Sequence, residues 1–437
     1  MTLRDGAAGC GFLVFACGLV LVPGGAVAQA PAAPDPVARC EAARAEARRR
    51  AAEKGPQDVN DVRDFGAVGD GHADDYVAFQ AALDAVFTHS KDVDRTERVW
   101  GGLVRVPHGR YAIGCPLQVP GWGAYAAYTP NHSSVVVSLH PAATLDFRYD
   151  GPDGRALFEL DDNCARGSVR LEGGRLTGMT LVPRDRGQAG IRIRIQGVTV
   201  RDMLIDGFPG DGIALEPPVP PRRGDVVVNR IEDCHVFDNG GSGIRALEGT
   251  ALVVDRCRIE SNGQFGVFLR GNGISVTSNT IEGNGGADRY ENLRLEETGG
   301  GVTDASITNN YFHDRNDQSR PTVAIVGGPA APVQRAFFTG NYLVGSVHVT
   351  PTGATPLNVG ISIGDEPPGG AKPGAAAGQV RNATVLGNFF LGHRIGILLG
   401  PGAMDYHVGP NGFGWADEAG HKQVENRSRH PGHVEKP

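Results

Sequence analysis

A short sequence pattern returns along this chain at intervals of 22 or 23 residues. The segment Asp255–Ile259 can be laid on Thr277–Ile281 at an offset of 22 residues, and Glu232–Val236 lies 23 residues before the first of them. The pattern returns at longer intervals at Thr177–Met179, Arg201–Met203, Thr308–Phe312, Thr339–Leu343 and Leu386–Phe390. A repeat of about 20 to 25 residues made of strand-like pieces predicts a solenoid, because each repeat can bury its apolar side only against the next coil.

Asparagine marks the turns of these repeats. A second series, Asn239-Gly240, Asn262-Gly263 and Asn284-Gly285, runs beside the first. Asparagine tolerates the left-handed backbone that a sharp turn needs, and stacked amides can hydrogen-bond along the column. In the first series Cys234 and Cys257 take the asparagine position, which predicts inward-facing thiols on adjacent coils. Their spacing permits a disulfide, but buried packing of two free thiols is the favoured interpretation.

Composition agrees with many short strands joined by tight turns. The 437 residues include 64 Gly and 29 Pro, too much turn chemistry for a helical protein, while an apolar fraction of 40% is too high for disorder. The formal charge of −7 carries no large basic block. A nucleic-acid partner is therefore not expected, because such a protein needs a basic surface to displace counterions.

The sequence divides into four segments. Residues 1–30 have the apolar run and small-residue cleavage pattern of a signal peptide, which predicts a secreted or periplasmic protein with no membrane contact after cleavage; an uncleaved anchor is the alternative. Residues 31–56 read as a linker and a polar, loosely attached helix, and 57–400 as the solenoid. Residues 401–437 are expected to form a C-terminal cap that frays into a disordered tail.

The start of the solenoid carries a family resemblance. Tyr76, Phe79 and Leu83 fall on one face of a helix that can cover the open end of the stack. Together with Asp64 and the later Val106-Pro107-x-Gly109-x-Tyr111, this segment resembles the pectate-lyase-like superfamily, which includes rhamnogalacturonases, polygalacturonases, lyases, epimerases and phage tailspikes. The resemblance implies an all-β, right-handed parallel β-helix with an N-terminal capping helix, in an exported carbohydrate-active protein.

One strand face of the solenoid is predicted to be charged. Aligning Ile213, Ile244, Val267 and Leu293 as inward residues puts the next residue outward in each coil. The face then carries Glu216, Arg245, Phe268, Arg270, Arg294 and Glu296, with Asp211 at its rim. Arginine forks suit the carboxylates of an acidic polysaccharide, and a phenylalanine suits a sugar ring. An ordinary solvated face with alternating charges remains the competing interpretation.

The chemistry favoured by these residues is β-elimination or C5-epimerisation of a uronate. Both reactions need the uronate carboxylate neutralised, for which Arg245, Arg270 and Arg294 are suited. Asp211 and Glu296 lie three coils apart, roughly 14 Å at the usual strand spacing, so they cannot form the carboxyl pair of a glycosidase. The polygalacturonase motifs are also broken, since Gly210-Asp211-Gly212 keeps one aspartate of the pair.

These residues define a predicted site. We assign catalytic roles to Asp211, Arg245, Arg270, Arg294 and Glu296, and substrate binding to Glu216, Phe268, Tyr290 and His313. Tyr290 and His313 belong to loop insertions and are residue types suited to proton transfer. No metal-ligating residues are assigned, although calcium binding near Asp211 and neighbouring glutamates is left as an open alternative. A glycoside hydrolase using Glu216, Glu248 or Asp211, and a non-catalytic glycan-binding protein, are the alternatives.

Overall fold

The computed structural model describes residues 35–55, 57, 59–89, 101–119, 134–161, 168–178, 187–217, 228–286, 290–297, 302–314, 320–328, 331–345, 359–364, 379–414 and 421–435. The chain divides into two compact units, Met1–Asp35 and Pro36–Pro437, and every element below belongs to the second. The predicted signal peptide at 1–30 and Cys164 lie outside the described residues.

The described strands form three parallel sheets that run along the stack. Successive strands enter the first, second and third sheet in turn, and each hydrogen-bonds its counterpart one coil away. A regular coil therefore contributes one strand to each sheet, and two late coils add the short strands Val380–Arg381 and Ala403–Met404 to the first sheet. The predicted all-β, right-handed parallel β-helix is confirmed.

The bounds of the strands are given sheet by sheet. The first sheet contains Val59–Asp61, Gly101–Val106, Ser134–Leu139, Ser168–Glu172, Val198–Arg201, Arg230–Glu232, Val253–Asp255, Ser275–Thr277, Val302–Thr308, Val333–Thr339, Val380–Arg381, Thr384–Leu386, Ala403–Met404, Tyr406–Val408 and Gly432–Val434. The second contains Asp70–Asp74, Gly109–Ile113, Ala143–Phe147, Arg175–Thr177, Leu204–Asp206, His235–Phe237, Arg258–Glu260, Thr280–Glu282, Tyr311–His313, Tyr342–Val344, Phe389–Leu391 and Gly412–Gly414. The third contains Leu117–Val119, Phe158–Leu160, Ile191–Ile193, Ile213–Leu215, Ile244–Ala246, Val267–Leu269, Leu293–Glu296, Val323–Val326, Val359–Ile363, Ile395–Leu399 and Lys422–Asn426.

The core is a set of apolar columns inside the coils. Alternation along each strand sends every second side chain inward, and register keeps the same position inward in the next coil. In the first sheet one such column is fully buried and contains Ile231, Val254, Val276, Ile307 and Phe338. Burying one such side chain contributes about 1.5–3 kcal/mol, so the stack is stabilised coil by coil.

Two buried amide ladders line the turns. The first contains Asn279, Asn310, Asn341 and Asn388. From Asn310 onward each side-chain oxygen accepts from the backbone and the amide of the asparagine one coil earlier, while Asn279 Oδ1 accepts from the backbone N–H of Cys257. The left-handed backbone, which the sequence assigns to asparagine itself, belongs instead to the preceding residue: Ser278 and Asn309 have φ of 58° and 56°. The ladder asparagines are therefore required for their side-chain hydrogen bonds.

The four cysteines within the described ranges form one disulfide and two free thiols. Cys234 and Cys257 are free and buried, and their sulfurs lie 3.2 and 3.3 Å from the carbonyl oxygens of Glu232 and Asp255. The two positions are therefore occupied by buried, packed thiols and not by a disulfide, as the favoured interpretation expects. Cys40 and Cys115 form a disulfide that the sequence did not predict.

Two helices lie at the N-terminal end of the stack. The helix Tyr76–His89 buries the predicted apolar face against the first coils. The helix Pro36–Lys54 packs on it through the buried Ala47 and Ala51, and the Cys40 disulfide ties this helix to the stack. The prediction of a loosely attached polar helix is therefore corrected, because small alanines allow close packing where no wide apolar stripe exists. A short 3-10 helix, Val62–Phe65, lies between them in sequence.

The stack continues beyond the predicted boundary at Gly400. Five described strands after this residue extend the three sheets, the last being Lys422–Asn426 and Gly432–Val434. The described residues after Gly400 therefore form further coils where the sequence predicts a cap and a disordered tail. No described helix is both long and apolar enough to span a bilayer.

Candidate functional site

The outward side of the third sheet carries a continuous charged surface, here called the third-sheet face. Register aligns Arg192, Ala214, Arg245, Phe268 and Arg294 in one outward column. The inward neighbours Ile213, Ile244, Val267 and Leu293 are fully buried, as the alignment of the repeats predicts. The third-sheet face comprises Glu159, Arg192, Arg194, Glu216, Arg245, Phe268, Arg270, Arg294 and Glu296.

Arg245 connects two of the predicted site residues. Its Nε lies 2.5 Å from Asp211 Oδ2 and its Nη2 lies 3.2 Å from Glu216 Oε1. The other oxygen of Asp211 accepts a hydrogen bond of 2.8 Å from the backbone N–H of Ser242. Asp211 is only 7% exposed, so it is a buried turn residue that orients Arg245 and not an open rim carboxylate.

Glu216 is held ionised by three arginines. Arg194 Nη2 lies 2.9 Å and Arg192 Nε 3.2 Å from Glu216 Oε2, in addition to the contact with Arg245. Burial alone would raise the pKa of Glu216, but these arginines outweigh it and keep the pKa below the ordinary value. Glu216 is therefore an anion at neutral pH, able to accept a proton but a poor general acid.

Arg192 and Arg194 extend the face by one coil beyond the sequence prediction, and Glu159 extends it by a second coil. Arg192 Nη1 lies 2.8 Å from Glu159 Oε1, and burial raises the pKa of this glutamate against the pull of Arg192. The alternation of Arg192-Ile193-Arg194 signals two outward arginines, and continuing the register of Ile213 one coil earlier would have found them.

The part of the third-sheet face formed by Arg270, Arg294 and Glu296 repeats the arrangement seen around Arg245. Arg294 Nε lies 2.5 Å from Glu296 Oε2, and Arg270 Nη2 lies 3.3 Å from Glu296 Oε1. Arg294 also contacts the fully buried Glu291 at 3.1 Å, whose second oxygen has no hydrogen-bond partner among the described residues. Arg245, Arg270 and Arg294 thus lie on one surface as predicted, and each is paired with a carboxylate.

An aromatic cluster lies between the charged groups around Arg245 and those around Arg294. Phe265 contacts Phe268 and Tyr290, with ring centroids 5.1 and 4.7 Å apart, and the Arg270 guanidinium lies 4.9 Å from the Phe268 ring. Phe268 is 6% exposed, so the open platform predicted for it is covered by its neighbours. The half-buried Phe265 and Tyr290 supply the apolar surface here, and the sequence prediction missed Phe265.

His313 does not lie on the third-sheet face. It ends a strand of the second sheet, where the inward Phe312 turns it outward, and its Nδ1 lies 3.6 Å from Glu282 Oε2. On the same sheet His235 Nε2 lies 2.8 Å from Glu260 Oε1. The prediction that His313 shares a site with Arg245 and Arg270 is corrected, because the turn after His313 separates the two sheets.

A buried carboxyl ends the second amide ladder, which runs through Asn239, Asn262, Asn284 and Asn292. Asn292 Nδ2 donates to Asp314 Oδ1 at 2.7 Å, and the Thr322 hydroxyl donates to the other oxygen. Thr322 also contacts His393 Nε2 at 3.0 Å. Burial raises the pKa of Asp314 to about 7 and lowers that of His393 to about 3, so the histidine is neutral.

We expect Asp314 to make stability fall as pH rises. Its pKa is about 7 in the folded state and about 3.9 when unfolded, so the folded chain holds the extra proton between these values. The unfolding free energy should therefore drop by up to about 1.4 kcal/mol per pH unit across this window. Asp314→Asn should remove this slope, because its Oδ1 can still accept from Asn292 and its Nδ2 can donate to the Thr322 hydroxyl oxygen. Urea unfolding of the unaltered chain and of Asp314→Asn from pH 5 to 8 measures this slope. If the difference between their unfolding free energies does not change with pH, the assignment is contradicted.

The carboxylates of the third-sheet face do not fit a calcium ion. Calcium takes six to eight oxygen ligands, whereas Asp211, Glu216 and Glu296 are each contacted by arginine guanidinium groups. A cation placed there would meet these positive charges. The calcium ion left open by the sequence is therefore not supported by the donor set.

The fold and this face define a class: a right-handed parallel β-helix with an arginine and carboxylate surface along one sheet. Residues 163–292 match the family described as right handed beta helix region. Over 247 residues, 52% of this chain, the sequence is 26% identical to mannuronan C5-epimerase AlgE3 of Azotobacter vinelandii, and the match spans 12% of that relative. The resemblance to right-handed β-helix proteins is confirmed.

Solved structures show the same fold. The tailspike protein of E. coli bacteriophage HK620, in complex with a pentasaccharide, has a TM-score of 0.58 at 13% identity and covers 86% of this chain and 65% of its own. The A-module of mannuronan C-5 epimerase AlgE4 of Azotobacter vinelandii has a TM-score of 0.50 at 16% identity, covering 87% of this chain and 100% of its own. These likenesses show that the chain shares the parallel β-helix fold with both proteins.

Proposed function

We propose that this chain binds a uronate-containing polysaccharide along the third-sheet face and acts on it as a polysaccharide lyase or C5-epimerase. The observation that carries this proposal is the alignment of Arg245, Arg270 and Arg294 on one face with an aromatic cluster beside them. Adjacent coils are about 4.8 Å apart, so arginines on successive coils can meet carboxylates along an extended chain. The likeness to a mannuronan C5-epimerase supports the substrate class.

Binding would exchange one set of ion pairs for another. The guanidinium of Arg245 or Arg270 would turn part of its hydrogen bonding from Asp211, Glu216 or Glu296 to a uronate carboxylate. Arginine suits this exchange because its planar fork offers several donors at once. The protein carboxylates hold the guanidinium groups in place before the substrate arrives, which lowers the ordering cost of binding.

The two reactions share their first step. Pairing with arginine withdraws charge from the uronate carboxylate, and a base removes the C5 proton, leaving its electron pair delocalised into the carboxylate. Glu216, an anion at neutral pH, is the candidate proton acceptor, and the Tyr290 hydroxyl is the candidate proton donor for the step that follows. In elimination the C4–O bond then breaks and a C4–C5 double bond forms, with a proton going to the leaving oxygen. In epimerisation a proton returns to the opposite side of C5.

A glycoside hydrolase is the second candidate because Asp211 and Glu216 are contacted by the same Arg245 guanidinium. Hydrolysis needs one of two nearby carboxyls protonated. Arginine lowers the pKa of Glu216, which opposes that role. We keep this candidate because the two carboxylates lie on one coil and close to the same guanidinium.

The test is a panel of polymannuronate, polygalacturonate and glucuronate-containing polymers in D₂O, with a neutral glucan as control. Elimination is expected to raise absorbance at the unsaturated-uronate band, and epimerisation to place deuterium at C5 without shortening the chain. New reducing ends without either signal would favour the hydrolase. Binding without turnover on any polymer would contradict the enzymatic proposal and favour a glycan-binding protein.

We also propose that the protein is exported, to the periplasm or outside the cell. The Cys40–Cys115 disulfide supports this, because disulfides persist in oxidising compartments and are rare in the cytosol. The apolar run within 1–30 supports it independently.

A further inference from the structure

Two histidines face each other on neighbouring coils at the C-terminal end of the described stack. Strand Tyr406–Val408 pairs with Gly432–Val434, and this register places His407 directly beside His433. Their rings lie 8° from parallel with centroids 5.6 Å apart. Neither residue belongs to the third-sheet face, since both strands are in the first sheet.

A glutamate completes the group. The backbone N–H of Glu435 donates to the carbonyl oxygen of Val408 at 2.8 Å, which fixes Glu435 beside the two histidines. Glu435 Oε1 lies 3.5 Å from His407 Nε2. One ligand atom from each of the three residues lies within 4.8 Å of the other two, and they are the one such group among the described residues.

We propose that His407, His433 and Glu435 bind a divalent d-block metal ion, with zinc the best fit. Two imidazoles and one carboxylate form a known zinc ligand set, at about 2.0–2.2 Å from the ion. Donors around a tetrahedral ion at that distance lie roughly 3.4 Å apart, close to the 3.5 Å between His407 and Glu435. Imidazole nitrogen disfavours calcium and magnesium, which prefer oxygen ligands.

The geometry assigns a stapling role to this ion. His407 lies on one coil and His433 and Glu435 on the next, so a bound ion joins coils that are otherwise held by strand hydrogen bonds and packing. Strand Gly432–Val434 pairs with one neighbour among the described strands. Metal binding should therefore oppose local opening of this strand.

The sequence could not reveal this site. The two histidines are separated by one strand of the second sheet and one strand of the third, so no short metal-binding spacing exists. Only the register of the last two coils brings them together.

The full chain, freed of metal with a chelator, should bind one Zn²⁺ in isothermal titration at pH 7.5, and Co²⁺ should give the visible absorption of a tetrahedral site. His433→Ala and Glu435→Gln should each weaken zinc binding by at least about 10-fold, the loss reported even for groups that only support ligands. His430→Ala, which changes an exposed histidine outside the group, is the matched control.

Hydrogen exchange gives a second measurement. Zinc should slow exchange of backbone amides in 406–408 and 432–434 in the unaltered chain and in His430→Ala, but not in His433→Ala. Absence of zinc binding, or unchanged affinity in both His433→Ala and Glu435→Gln, would overturn the proposal.

Discussion

Replacing Arg245 by alanine is expected to lower turnover of the uronate polymer by about 10²- to 10³-fold, the usual loss when a group that stabilises developing charge is removed. Arg245 is the arginine that contacts both Asp211 and Glu216, so its removal takes away a carboxylate-binding fork and leaves Asp211 without its guanidinium partner. Arg270→Ala should act in the same direction, because Arg270 faces Glu296 and Phe268 further along the face.

Steady-state kinetics on the polymer identified by the panel measures this loss. Arg335→Ala is the matched control, since Arg335 pairs with Asp304 at 2.5 Å on the first sheet and both are exposed. Arg245→Lys keeps the charge without the planar fork and should recover only part of the activity. Full turnover by both Arg245→Ala and Arg270→Ala would place the reaction elsewhere on the molecule.

The largest loss of stability is expected from Asn310→Ala, in the middle of the first amide ladder. Asn310 Oδ1 accepts from the backbone N–H and the amide of Asn279, and its Nδ2 donates to Val276 O and Asn341 Oδ1, all at 2.9 to 3.0 Å. Alanine would leave several of these buried groups without partners, at about 1–3 kcal/mol each. We expect the unfolding free energy to fall by about 3 kcal/mol or more.

Urea unfolding followed by circular dichroism and by fluorescence measures this change and tests whether unfolding stays cooperative. Asn411→Ala is the comparison, because Asn411 ends the same ladder and is half-buried. Its Oδ1 accepts from Asn388, but its Nδ2 donates to two carbonyl oxygens and to no further asparagine among the described residues. Its loss should be clearly smaller. Equal losses at both positions would mean that the ladder adds nothing to stability beyond single side chains.

The fold was predictable because its signals are periodic. Alternation along each strand gave the inward column of Ile213, Ile244, Val267 and Leu293, and the register confirms this alignment. Periodicity also has limits. Its fading after Gly400 suggested that the stack stops, although strand pairing continues to Val434 because backbone hydrogen bonds do not require the repeat.

The candidate site was less predictable because it depends on side-chain contacts across coils. The sequence indicates that Arg245 and Glu216 share a face, but not that Arg245 also holds the buried Asp211. His313 was misplaced because an insertion in sequence does not tell which sheet edge it leaves. The roles proposed for these residues stay predictions until turnover is measured.

The first ladder also decides where this architecture can change. Neighbouring rungs are 31 residues apart between Asn310 and Asn341, but 47 between Asn341 and Asn388, with the same hydrogen bonds. The hydrogen bonds of the ladder therefore depend on one asparagine in each coil and not on the length of chain between successive asparagines. Segments leaving the coils between rungs can be lengthened, shortened or exchanged at little cost to the frame. Grafting such a segment from another β-helix offers a way to alter what the face binds while keeping its arginines in register.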